Sequence, residues 1–525
     1  MLEPANEGSP LEVAVASPAA AGVDERFGTR PHTGRSLRTH AARGTLVNTG
    51  FTVGLGALGL LKGFVLAGFL TRSDYGVWGV LIVTVSTLLW LKQVGIGDKY
   101  IQQDEPDQEL AFQKALTLEL ALTAALVLVL ACVVPVIVLV YGLPKLIAPS
   151  IVIAFALLVS AFQAPQWIYY RQMDFVRQRV LAAVDPVTGF VVSIALAVAG
   201  AGYWAFVGGL AAGACAASLA AVLQSPFKLR LRYEPGTLKS YSSFSAPLLL
   251  ASAATLVMTW AAVVATKLAL GIAAVGVITL AATIQSFTDT ADQVVTGALY
   301  PAICAVRERL ALLQESFVKS NRLALMWAVP FGIGLTLFSA DLVRFGIGER
   351  WRPAVIVLEV YGAAAALNHV GFNWTAYFRA RGQTRPIAVA SLGAMGAFLV
   401  VGIPLLLLDG LPGFAVGVAV QGVASFLLRM FYVRRLFPGF GVLRHMARAI
   451  LPTVPAAALV LVLRTIEPRG RTLGLAVAEL LIYALVTVAA TWYFESTLLR
   501  EAIAIVQGTR RSSADGAIGV SAASP

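Results

Sequence analysis

The chain has 525 residues, of which 58% are hydrophobic and 13% charged, and its mean hydropathy is +0.78. Soluble domains run near about 45–50% apolar and about 25% charged, so a water-soluble globule is excluded and a bilayer is the required solvent. The net charge of +12 comes from Lys and Arg scattered through short loops, which is the pattern of membrane topology and not of a nucleic-acid-binding stripe.

Residues 1–43 contain no apolar core and become basic at Arg35, Arg38 and Arg43. They read as a disordered cytoplasmic tail and not as a cleaved signal peptide. A span needs about 20 mainly apolar residues. Fourteen runs approach that length: 47–70, 76–97, 112–141, 147–168, 180–200, 203–223, 244–268, 274–296, 323–340, 354–377, 386–408, 413–433, 450–464 and 473–494. The thirteenth is short, and the eighth is polar in its lower half. The predicted class is an all-α integral membrane protein of about 14 transmembrane helices.

With the amino terminus inside, thirty Lys and Arg fall on the cytoplasmic side and eight on the other, while Lys62 and Lys267 lie within spans. This asymmetry predicts that both termini are cytoplasmic, the topology of a multi-pass protein of the bacterial inner membrane.

A weak internal repeat is visible. A shift of 200 residues lays Gly76 on Gly276, Gln93-Val94 on Gln293-Val294, Gly97 on Gly297 and Tyr100 on Tyr300. A shift of 207 lays Gln166-Trp167 and Tyr170 on Asn373-Trp374 and Tyr377. Six spans separate the halves, so they share one orientation and are related by a pseudo-twofold axis along the membrane normal. The predicted division is an N-lobe over 44–243, a C-lobe over 244–440, two extra C-terminal helices over 441–496, and a cytoplasmic tail over 497–525. A cavity is expected between two six-helix lobes.

Leu70-Thr-Arg-Ser-Asp-Tyr-Gly76, Gly95-Ile-Gly97 and Tyr100-Ile-Gln-Gln103 resemble the first part of the signature of polysaccharide-export flippases. Tyr170-Arg-Gln-Met-Asp-Phe175, Gly202-Tyr-Trp-Ala205, Leu299-Tyr-Pro-Ala302 and Gly348-Glu-Arg-Trp351 continue the resemblance in order. It covers roughly residues 45–440. The family is the Wzx-type oligosaccharide branch of the multidrug/oligosaccharidyl-lipid/polysaccharide exporter superfamily. The resemblance implies a flippase for undecaprenyl-pyrophosphate-linked oligosaccharide, working in cell-surface polysaccharide biosynthesis by alternating access.

Charges inside spans cost about 2.5–3.5 kcal/mol at mid-helix unless they meet water or a partner. Lys62 reads as a cavity cation for the substrate's pyrophosphate; the plainer reading is a lysine that snorkels or pairs locally. Lys267, at the end of its span, reads as snorkelling. Gln285, Asp289 and Asp292 step by four and three and share one helical face. They are candidates for coupling to H⁺ or Na⁺, against the alternative of a wet cytoplasmic helix end. By the 200-residue shift Asp292 is the counterpart of Lys92, so these two are candidates for a gate at the cytoplasmic mouth. The string Gly54-Leu-Gly-Ala-Leu-Gly59 lies in an apolar span with no preceding strand, and close packing through Gly59-x-x-x-Gly63 is the expected reading. No metal spacing, P-loop or cofactor motif is present in the sequence.

The leading function is therefore transport and not enzymatic catalysis. Expected partners are the lipid-linked oligosaccharide, membrane lipid, a coupling ion, and the glycosyltransferases or polymerase of a polysaccharide pathway. The alternatives are a flippase for a peptidoglycan precursor (lipid II), a drug or metabolite antiporter, a membrane glycosyltransferase or glycan ligase, and a non-transporting scaffold. The longest outer loop, about residues 341–353, is too short for a catalytic domain.

Overall fold

The structure is a computed structural model that describes residues 34–92, 96–103, 105–172, 174–234, 253–383, 385–466 and 470–521. Among these residues every regular element is a helix, as the all-α expectation requires. Eight helices are long and apolar enough to cross a membrane, and the bent pair Arg444–Ile450 with Val454–Ile466 makes a ninth. Thr255–Leu270 and Ile272–Ile284 are shorter apolar helices. All fourteen predicted runs are mainly helical where they are described, and the breaks include turns at 369–373 in the run 354–377 and at 451–453 in the run 450–464.

The first half is built from α1 (Gly34–Phe69), α2 (Arg72–Lys92), the short α3 (Ile96–Gln102), α4 (Gln108–Tyr141), α5 (Ile147–Ser160), α6 (Gln166–Arg171), α7 (Phe175–Val198) and α8 (Trp204–Leu223). The second half holds α9 (Ala253–Leu270), α10 (Ile272–Ala305), α11 (Leu310–Asp341), α12 (Val355–Asn368), α13 (Trp374–Ala380), α14 (Arg385–Ala397) and α15 (Ile403–Leu436). Helices α16 (Val442–Ile450), α17 (Val454–Ile466) and α18 (Leu473–Ser521) follow.

The 52-residue segment Arg385–Leu436 doubles back at Gly410, whose φ of +66° suits a residue without Cβ. A methyl on Gly417 would lie 2.4 Å from Gly402 Cα, and one on Gly393 would lie 2.4 Å from Leu428 Cδ1. The two arms therefore run antiparallel in close contact, matching the separate runs at 386–408 and 413–433.

The internal repeat has a physical counterpart where α2 and α10 begin. A methyl on Gly76 would sit 1.9 Å from the Ile272 carbonyl oxygen, and one on Gly276 would sit 1.9 Å from the Arg72 carbonyl oxygen. Each approach is the other shifted by 200 residues. One helical turn on, a methyl on Gly79 would meet Thr279 Oγ1 at 2.1 Å. Only glycine lets the two backbones approach this closely, and the crossing joins the lobes on a pseudo-twofold axis.

We call the side where α1 ends and α2 and α10 begin the distal side. A second inter-lobe contact stands there. Arg350 Nη2 and Trp351 Nε1 both donate to the Ala67 carbonyl, at 2.8 and 2.9 Å, and Arg350 also reaches the Gly68 carbonyl. The last carbonyls of a helix lack partners and carry partial negative charge, so a guanidinium and an indole N–H cap α1 well. Trp351 is fully buried, edge-on to Tyr75 at 5.0 Å, and Tyr75 donates to the Gly63 carbonyl at 2.6 Å. The Leu70–Gly76 and Gly348–Trp351 signatures thus pack together on one side of the fold.

Candidate functional site

In the N-lobe, Lys62 of α1 points towards the crossing of α7 and α8. Its Nζ lies 3.9 Å from the position that a Cβ on Gly189 would occupy. One turn before Gly189 on α7 stands Asp185, and the two charges interact electrostatically. Pro186 follows Asp185 inside the helix, where it leaves the Ala182 carbonyl without its usual helical donor.

Asp185 is packed tightly from the opposite side. A methyl on Gly213 of α8 would lie 2.3 Å from Asp185 Oδ1 and 2.7 Å from its carbonyl oxygen. Gly209 of α8 would meet Ser193 Oγ at 1.9 Å, one turn beyond Gly189. Gly189 and Gly209 therefore let the backbones of α7 and α8 approach closely, and Gly213 makes room for the Asp185 carboxylate between them. The Gln163 amide, three residues past the end of α5, also stands beside Asp185, and its buried Nε2 finds no partner of regular geometry among the described residues. Opposite charges placed near each other within an apolar slab offset part of the desolvation cost.

On its other flank α1 borders an apolar groove. A cavity of about 840 Å³ runs between α11 and α18 and reaches Phe64 of α1 and Ile284 of α10. Trp327, Phe331, Tyr483 and Trp492 line it, and Phe287 of α10 packs on Trp327 and Phe331 at 5.3 and 5.4 Å. Lining residues on the unbroken part of α18 run from Leu473 to Trp492, about 29 Å of helix at 1.5 Å per residue. That is close to the hydrocarbon thickness of about 30 Å, so the groove extends across the apolar slab.

Charged side chains fasten α18 at both ends of this groove. At the distal end Arg471 Nη2 reaches Asp341 and Glu479 at 2.6 and 2.7 Å, and Arg464 reaches the same two carboxylates at 3.3 and 3.2 Å. At the other end Arg322 of α11 makes a two-pronged contact with buried Glu495, where α18 leaves helical geometry. Tyr483, midway, donates to the Pro330 carbonyl at 2.8 Å. A further buried node ties α11 to the rest of the C-lobe: Asn321 bonds the His369 carbonyl, the Gly371 N–H and His445 Nε2.

The remaining residues singled out in the sequence stand differently. Lys92 lies on α2, and Gln285, Asp289 and Asp292 lie on α10, but their side chains fall outside the described residues. The expected close packing at Gly59-x-x-x-Gly63 holds at one position only. A methyl on Gly63 would lie 3.1 Å from Thr283 Cγ2 of α10, whereas Gly59 faces open space. Among the described residues no group of three His, Cys, Asp or Glu is placed to hold a metal ion. Asp185 was missed in the sequence, although an acid in the middle of the run 180–200 is the same kind of signal as Lys62.

Comparison with solved structures places the fold. A lipid II flippase MurJ in an inward closed conformation superposes with a TM-score of 0.62 at 12% identity, covering 86% of this chain and 98% of that one. An inward-facing multidrug resistance MATE family transporter of the MOP superfamily gives 0.59 at 14% identity, covering 76% of this chain and all of that one. The same transporter family in an outward-facing conformation gives 0.55 at 15% identity, covering 78% and 99%. No curated protein matches the chain in sequence. The profile of a family described as polysaccharide biosynthesis protein matches residues 65–356, more than half of the chain, and the chain therefore belongs to that family of multi-pass membrane proteins with the MOP transporter fold.

Proposed function

We propose that the protein flips an undecaprenyl-pyrophosphate-linked oligosaccharide across the bacterial inner membrane by alternating access of its two lobes. The observation that carries this reading is the position of α1 between two unlike surfaces. Lys62 faces the N-lobe, and Phe64, two residues on, faces the apolar groove beside α18. A diphosphate needs a cation in a medium of low dielectric, and a polyprenyl chain needs apolar wall. A substrate straddling α1 meets both. A drug cation has no use for a groove as long as the slab is thick, which favours a lipid-linked substrate over the antiporter reading. Lipid II offers the same diphosphate and tail, so the glycan is what separates that second reading from the first.

The direct test is reconstitution. Purified protein in liposomes should move an undecaprenyl-pyrophosphate-linked oligosaccharide between leaflets faster than protein-free liposomes do. Transport of cationic drugs with no movement of the lipid-linked glycan would select the antiporter reading instead.

The distal side is the periplasmic side in this reading, with both termini cytoplasmic, because thirty cations crowd the opposite loops. Single cysteines at Ser73 and Asp409 should react with an impermeant thiol reagent added outside whole cells, and one at Tyr233 should not. The reverse labelling would invert every side assigned here.

The acidic stripe Gln285, Asp289 and Asp292 is assigned to coupling with H⁺ or Na⁺, and Lys92 with Asp292 to a cytoplasmic gate. One charge moved through 100 mV is worth about 2.3 kcal/mol, enough to bias a two-state transporter. Replacing Asp289 and Asp292 by Asn should flatten the dependence of flipping on the ion gradient. In the same assay Lys92→Asp combined with Asp292→Lys should recover rate that either single change loses. Gradient dependence unchanged in the first variant, or no recovery in the second, removes the respective role. Glycosyltransferases and a polymerase are the partners this function requires for supply and use of the glycan.

A further inference from the structure

Asp185 has no part in the function as stated so far, yet it holds the only carboxylate that the structure sets against Lys62 among the described residues. Three helices and the end of a fourth are shaped around it. Gly213 leaves no room for a methyl beside Asp185 Oδ1, the Lys62 Nζ stands beside Gly189 one turn further along α7, and Gln163 presents an amide to the acid. Such a pocket fixes the carboxylate, whereas the Lys62 ammonium sits on a long unbranched stem that can swing. A fixed acid and a mobile ammonium about one helical turn away can meet and part without moving a helix.

We propose that Asp185 is the resting counter-ion of Lys62, a positioning residue that holds the ammonium in the N-lobe and yields it to the substrate's diphosphate. The proposal rests on the diphosphate reading given above. With the cavity empty, Lys62 is neutralised by Asp185, so the empty carrier does not hold an uncompensated charge in the slab during its return. When a diphosphate enters, it competes with Asp185 for the same Nζ. When the carrier opens on the far side, Asp185 is at hand to take Lys62 back and expel the anion. The acid thereby lowers affinity and raises turnover, because interactions that hold the bound state too tightly slow release.

The test has two arms on the full-length protein. In the first, thermal stability is measured for Lys62→Ala, Asp185→Asn and the double variant. Pairing predicts that the double change costs clearly less than the two single changes added together, and additive costs would overturn the proposal whatever the substrate. In the second arm, farnesyl diphosphate is the probe, and its binding to purified protein is measured by thermophoresis. Asp185→Asn keeps the shape of the pocket and should tighten binding about tenfold, while slowing flipping in proteoliposomes. The same substitution in a Lys62→Ala background should leave affinity unchanged. Wild-type binding of the probe with no tightening in Asp185→Asn overturns this inference alone. Absence of probe binding in every variant, with the stability coupling present, overturns the diphosphate reading and this inference together.

Discussion

Replacing Lys62 by alanine is expected to abolish flipping per folded molecule, and Lys62→Arg should retain part of it. Lys62 sits in α1 at the α7–α8 crossing, with Asp185 as its neighbour. Hydrogen bonds to charged groups are worth about 1.5–3 kcal/mol, so loss of the ammonium removes about ten- to a hundredfold in diphosphate affinity before any effect on turnover. The alanine variant also strands Asp185 without its cation, which lowers stability for a reason unrelated to substrate. Lys62→Ala in an Asp185→Asn background separates the two effects. That double variant should regain stability and still fail to flip. Wild-type rates in either alanine-bearing protein would leave Lys62 with a structural role only.

The second large effect is expected at Trp351. Its side chain is fully buried between the lobes, donates to the Ala67 carbonyl and stands edge-on to Tyr75. Truncating a buried Trp to Ala typically costs about 3–5 kcal/mol, and here the cavity opens at the cap of α1. Trp351→Ala should therefore lower the melting temperature of the purified protein markedly. Trp351→Phe keeps most of the ring and loses one hydrogen bond, about 1 kcal/mol, so its shift should be several-fold smaller. Arg350→Ala leaves Trp351 in place and should fall between these or below them. A Trp351→Ala protein that melts with the wild type would show that the distal contact does not support the fold.

Much of the architecture was legible because its causes are local. Apolar runs of the right length declare spans, and Gly76 and Gly276 mark the repeat because close backbone contact tolerates no other residue. Lys62 was legible because a lone cation in an apolar run is costly wherever it sits. Its partner was not, since Asp185 lies 123 residues away and nothing in the spacing joins them. Asp341 meets the guanidinia of Arg464 and Arg471 from more than a hundred residues away, and is hidden for the same reason. Arg350 and Trp351 stood in a recognised motif, yet the groups they bind are main-chain carbonyls, which leave no trace in residue identity. Gly59 misled because a small-residue spacing shows that close packing is allowed, not that a neighbour is present.

The glycine crossing of α2 and α10 bears on how such a chain came to exist. On a twofold axis a residue faces its own equivalent, and here the approaches of Gly76 to Ile272 and of Gly276 to Arg72 are interchangeable. A single half with glycine at that position has what it needs to pair with a second copy of itself through the same surface. Joining two copies into one polypeptide would then add a linker but no new interface. After such a fusion the two glycines are inherited separately, and each remains fixed by the backbone of the other half. A side chain gained on either side is refused by the half that did not change.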